Sequence, residues 1–112
     1  MNQMQIDKTK EYLKTHMPKV LKADLVQIVM YGSCARGDYG ELSDIDIALI
    51  TNCDRMEAKK YDDSLMDIVT DIAMELGTIV EYICIPLNEY NEKKTWYGYF
   101  KNIEKEGLVI YG

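Results

Sequence analysis

The sequence has no apolar run of 18 residues, so no segment reads as a membrane-spanning helix. Its opening stretch, Met1 to Lys8, is polar and lacks the apolar core of a signal peptide. Cysteine is scarce: Cys34, Cys53 and Cys84 are widely spaced, odd in number and form no CxxC pair. With His16 as the only histidine, neither a disulfide framework nor a zinc site is expected. Reduced thiols in a cytoplasmic protein are expected instead. Basic residues are outnumbered 13 to 19, for a net charge of −6. That balance argues against direct nucleic-acid binding, which runs on basic patches. An acidic surface fits metal–nucleotide chemistry or a basic protein partner, and charge alone does not choose between them. Repeats, low-complexity tracts and linkers rich in Gly, Ser or Pro are absent too.

What is present fits one domain over residues 1–112, with 47% apolar residues to build a core. A chain this short has an unfavourable surface-to-volume ratio, so association into a homo- or hetero-oligomer would add stability. Ile6, Tyr12, Leu13, Met17 and Leu21 recur at roughly helical spacing over residues 5–22, and Pro18 should break or kink that helix. Leu25 to Tyr31 is apolar and β-branched and reads as a buried strand. A polar stretch broken by Gly37 and Gly40 follows, with room for a short helical turn. Asp44 to Ile50 reads as the second strand, Arg55 to Leu76 as a helix closed by Gly77, and Thr78 to Ile85 as the third strand. Pro86 stops that strand, and Asn88 is placed to cap a last helix of about 17 residues ending at Gly107. Leu108 to Tyr111 either adds a short edge strand or docks on the core. The expected fold is α/β (α+β): a small mixed sheet of three to four strands with helices packed on one face.

Chemistry concentrates between Gly32 and Asp46. Strand side chains alternate faces, so Ile45, Ile47 and Leu49 share the core face while Asp44 and Asp46 share the opposite one. Those two carboxylates would lie roughly 6–7 Å apart, at about 3.3 Å per residue. Like charges at that distance repel. A divalent cation reverses the penalty, and magnesium suits carboxylate and phosphate oxygens. The plainer alternative makes Asp44 a turn residue and Asp46 a solvated strand position, although Asp is disfavoured inside strands. Gly32 leaves the first strand and permits close approach of backbone to a ligand. Ser33 offers a hydroxyl, and a helical turn starting there would offer N–H groups to a triphosphate. Gly-Ser, ten residues, then Asp-x-Asp would match by chance in roughly a few of every thousand such chains, at about 7% per residue type.

The segment GSCARGDYGELSDIDIALI resembles the signature of the polymerase-β-type nucleotidyltransferase superfamily. The surroundings of Ala35-Arg36-Gly37 and Ser43 are similar to its minimal bacterial and archaeal branch, as is the ending from Phe100 to Tyr111. The resemblance implies the nucleotidyltransferase fold and ATP or another NTP as substrate. It implies that Gly32 and Ser33 hold the nucleotide phosphates and that Asp44 and Asp46 are catalytic ligands of two Mg²⁺ ions. A third acid usually sits on a later strand, and Glu81 is the acid available there, where the family usually has Asp. Glu81 could be a metal ligand, the base that takes the acceptor's proton, or a solvated strand residue. Arg36 could clamp a phosphate or pair with Asp38, Glu41 or Asp46 to hold the loop. Short proteins of this branch are often the antitoxin of a toxin–antitoxin pair, with a helical HEPN ribonuclease as partner that is inactivated by AMP added to a tyrosine.

Three functions follow as expectations. The first is an enzyme moving AMP from ATP to an acceptor hydroxyl and releasing pyrophosphate. The second is a catalytically weak module of the same fold that neutralises its partner by contact. The third, nucleotidylation of a small molecule such as an antibiotic, ranks last because 112 residues leave little room for an acceptor pocket. The aromatics Tyr90, Trp96, Tyr97, Tyr99 and Phe100 read either as core and edge packing or as a partner surface.

Overall fold

The computed structural model describes the chain from Met1 to Gly112. Its elements run α1 (Gln3–Leu21), β1 (Leu25–Tyr31), α2 (Ser33–Arg36), β2 (Ile45–Thr51), α3 (Arg55–Ala58), α4 (Asp62–Leu76), β3 (Val80–Pro86), α5 (Leu87–Lys93), α6 (Gly98–Glu106) and β4 (Leu108–Tyr111). The strands form one mixed sheet in the order β3-β2-β1-β4. β1 pairs antiparallel with both β2 and β4, whereas β2 and β3 run parallel, joined by a crossover through α3 and α4. Leu108–Tyr111 is therefore the edge strand that the sequence left open.

Alternation along β2 sorts the layers. Ile45, Ile47 and Leu49 point to one face and join a core of sixteen buried residues that includes Ile6, Leu13, Met17 and Leu21 of α1 and Leu65, Ile68 and Ile72 of α4. Ala48 and Ile50 point the other way, into a smaller cluster of seven with Val29, Ile85, Tyr90, Phe100 and Ile103. Helices therefore cover both faces of the sheet, α1 and α4 on one and α5 and α6 on the other, rather than one face as expected. The physical reason lies in β2: beyond Asp46, its residues are buried on both sides.

Two further differences concern helix ends. α1 runs through Pro18 without stopping. The carbonyl that loses its partner there belongs to exposed Lys14, where water can replace the bond, and burial of Met17 and Leu21 holds the turn. At its start, Asn2 and Gln5 form a reciprocal capping box at 2.9 Å in each direction. The expected last helix is two, interrupted at Tyr97, whose backbone is extended, with glycine, a poor helix former, next at Gly98. Pro86, not Asn88, stands at the cap of α5. The break lets Tyr90 and Phe100 both bury against the sheet, with ring centroids 5.8 Å apart.

Candidate functional site

Strand register builds the site. Tyr31 at the end of β1 stands opposite Asp46 near the start of β2, and Asp46 in turn stands beside Glu81 near the start of β3. Residues in register share a face, so Tyr31, Asp46 and Glu81 form a row across three strands on the side covered by α5 and α6. Asp44 lies just before β2, outside the ladder, where its carbonyl accepts a weak bond from Cys34 Sγ at 3.6 Å. Sequence reasoning placed Asp44, Asp46 and Glu81 together, and the structure brings all three to one end of the sheet. It overlooked Tyr31, which was read only as the last residue of a strand.

Electrostatics agree with the geometry. Asp46 is half-buried, and burial first, then the charge of Asp44, pushes its carboxyl above the ordinary range. Glu81 is exposed, and its carboxyl is raised first by hydrogen bonding with Asp44 and then by the charges of Asp44 and Asp46. Each acid thus carries an unfavourable negative charge that a cation would offset. The side chains are not already closed into a cage of three ligands. Their donor set is oxygen alone, with no thiol or imidazole, and that chemistry fits a hard divalent cation such as magnesium. Asp44, Asp46 and Glu81 are the residues that could hold it.

The turn between β1 and β2 is shaped around Asp46. Gly32 has φ +76°, a conformation costly for any side chain. A Cβ built on it would stand 2.7 Å from Asp46 Oδ2. The close approach expected of Gly32 toward a ligand is thus realised first toward a carboxylate. Ser33 opens the single helical turn of α2, and Gly37 closes it in the left-handed region. Arg36 forms ion pairs with Asp38 at 3.1 Å and with Glu106 at 3.0 Å. Those pairs tie α2 to the end of α6. Glu106 is a partner that no local pattern could disclose, 70 residues away along the chain.

Beside the row, Ile83 sits two residues beyond Glu81 on the same face of β3. It lines a recess of about 500 Å³ with Arg55, Lys93, Trp96, Tyr99 and Phe100. Tyr90 and Phe100 are core, whereas Trp96 (64% exposed), Tyr97 and Tyr99 (both 46%) are not. The aromatic cluster therefore divides into buried and exposed rings.

Comparison with known proteins agrees with this layout. Residues 6–111 match the family described as Nucleotidyltransferase domain. A protein described as a "putative protein adenylyltransferase" from Methanocaldococcus jannaschii is 33% identical over 85 residues, covering 76% of this chain and 77% of that protein. Among solved structures, one described as a toxin–antitoxin with AMP-PNP covers all of this chain and 74% of its own, at 20% identity and a TM-score of 0.55. A "putative nucleotidyltransferase" from Sulfolobus solfataricus covers 97% of this chain and 87% of its own, at 20% identity and a TM-score of 0.54. At that identity the two structures speak to the fold alone.

Proposed function

The chain belongs to the nucleotidyltransferase-domain family, and from that premise we propose that it transfers AMP from ATP to a hydroxyl of a partner protein. The observation that carries this reading is the convergence of Asp44, Asp46 and Glu81 beside the Gly32-Ser33 turn. Gly32 and Ser33 would receive the triphosphate. The three carboxylates would hold two magnesium ions, which when bound neutralise charge on the phosphates and on the departing pyrophosphate.

The acceptor oxygen bonds to the α-phosphorus as the bond from that phosphorus to the bridging oxygen breaks. Pyrophosphate leaves with the electron pair, and the acceptor's proton must go to a base. Glu81 suits that task by position, exposed and next to Asp46 on the neighbouring strand. Positioning and charge stabilisation then supply most of the rate. Arg36 is assigned to holding α2, because two carboxylates engage its guanidinium.

Two observations support a protein as acceptor. The relative from Methanocaldococcus jannaschii is described as a "putative protein adenylyltransferase". The recess along Ile83 and the exposed rings of Trp96, Tyr97 and Tyr99 offer an apolar, aromatic surface open to a large partner. On this reading the chain is the antitoxin of a toxin–antitoxin pair, and a tyrosine on a HEPN-type toxin is the acceptor. Incubation with labelled ATP, Mg²⁺ and the product of the neighbouring gene tests it. An AMP-sized mass gain on a partner tyrosine is expected. A partner that is neutralised without gaining mass would assign the chain to neutralisation by contact.

A further inference from the structure

The row on the sheet face contains one member that is not an acid. Tyr31 stands between the turn at Gly32 and the ladder position of Asp46, and it shares its face with Asp46 and Glu81. Its hydroxyl is hydrogen-bonded to the hydroxyl of Tyr99 on α6, and the two rings meet edge to face with centroids 5.8 Å apart and planes at 77°. Tyr31 is half-buried, whereas Tyr99 is 46% exposed. A tyrosine phenol is neutral at pH 7. A donor, not an anion, therefore stands beside the acids.

No basic side chain of the loop is free to meet a phosphate. Between Tyr31 and Asp46 the only basic residue is Arg36, and Asp38 and Glu106 hold it. A phosphoryl group drawn to this end of the sheet brings anionic oxygens into a row otherwise made of carboxylates. A neutral O–H whose oxygen is held by a second side chain is the kind of fixed dipole that stabilises charge during transfer.

We infer that Tyr31 is a working residue of the site: with the Tyr99 hydroxyl donating to its oxygen, the single O–H of Tyr31 is left to hydrogen-bond an oxygen of the phosphoryl group being transferred. Tyr99 acts through Tyr31 and is a positioning residue. The inference rests on the nucleotidyl-transfer reading above, but it predicts a binding effect that needs no turnover.

The experiment compares the full-length wild type, Tyr31→Phe, Tyr99→Phe and the double variant. One readout is the affinity for Mg²⁺ with a non-hydrolysable ATP analogue, by calorimetry; the other is AMP transfer per folded molecule. Tyr31→Phe should weaken analogue binding about 5–10-fold, the size of one lost charge-assisted bond. It should slow transfer about 10–100-fold, with the melting temperature little changed. Tyr99→Phe should give part of each loss, and the double variant should lose no more than Tyr31→Phe alone. Unchanged affinity and rate in Tyr31→Phe would overturn the inference, as would losses explained by unfolding alone. Additive losses in the double variant would remove Tyr99 from its assigned part. If the wild type transfers nothing yet Tyr31→Phe still binds the analogue more weakly, the transfer reading fails while Tyr31 keeps its phosphate contact.

Discussion

The two faces of the sheet differ in the size of their cores and in the side chains at their ends. The face under α1 and α4 buries sixteen clustered residues, while the face under α5 and α6 buries seven and carries Tyr31, Asp46 and Glu81 at its open end. Strand alternation makes this division cheap to encode. In Asp46-Ile47 one residue belongs to the acidic row and the next to the larger core, separated by a single peptide bond. The larger core holds the strands in register, and register is what lines up the row. On the proposed function, stability and activity fall on opposite sides of the same strands.

That assignment can be broken residue by residue. Asp46→Asn should lower AMP transfer by about 10³-fold or more, because charge placement supplies most of the rate in phosphoryl transfer. Its circular dichroism and cooperative melting should match the wild type. Ile47→Ala, one position along, should do the reverse. It empties a site in the larger core at a cost of about 2–5 kcal/mol, lowering Tm by roughly 10–20 °C, with transfer per folded molecule nearly kept. A variant at Ile47 that stayed stable and lost activity would dissolve the division.

Gly32→Ala tests the seam between the two roles. The added methyl meets Asp46 Oδ2 and sits at φ +76°, so transfer should drop while stability falls by about 1–2 kcal/mol, read from urea unfolding. The smallest effect is electrostatic. The folded chain raises the proton affinity of Asp46 and Glu81, so it binds protons more tightly than the unfolded chain. Stability without metal should therefore rise as pH falls from neutrality through the carboxylate range. Asp46→Asn should melt slightly higher than the wild type at pH 7 in EDTA, and that advantage should vanish near pH 4, close to the unfolded aspartate value of about 3.9. A melting temperature lowered by the substitution at pH 7 would show that the acid stabilises the site it was expected to strain.

Much of this plan was legible in the chain. Leu25–Tyr31 emerged as a strand with the limits its composition implied, and alternation through Asp44-Ile45-Asp46-Ile47 put acids and core on opposite faces. Coverage of the sheet on both faces was also written there, in the unbroken run Ala48-Leu49-Ile50, which only a doubly buried strand needs. Gly98 likewise signalled the break in the last helix. Other features had no local sign. Pro18 is tolerated because of what α1 packs against. The partners of Arg36 and Tyr31 depend on α6 coming to rest near α2 and the end of β1, which is a tertiary outcome and not a periodicity.

Both of those links tie the region around the Gly-Ser turn to residues some 70 positions later, Tyr31 to Tyr99 and Arg36 to Glu106. On the ribosome, every acid of the row is therefore synthesised before the helix that braces its surroundings. A nascent chain paused before that helix would display the acidic cluster without its braced tyrosine or its anchored loop. The acids gain their braced surroundings only once that helix has been made and has docked.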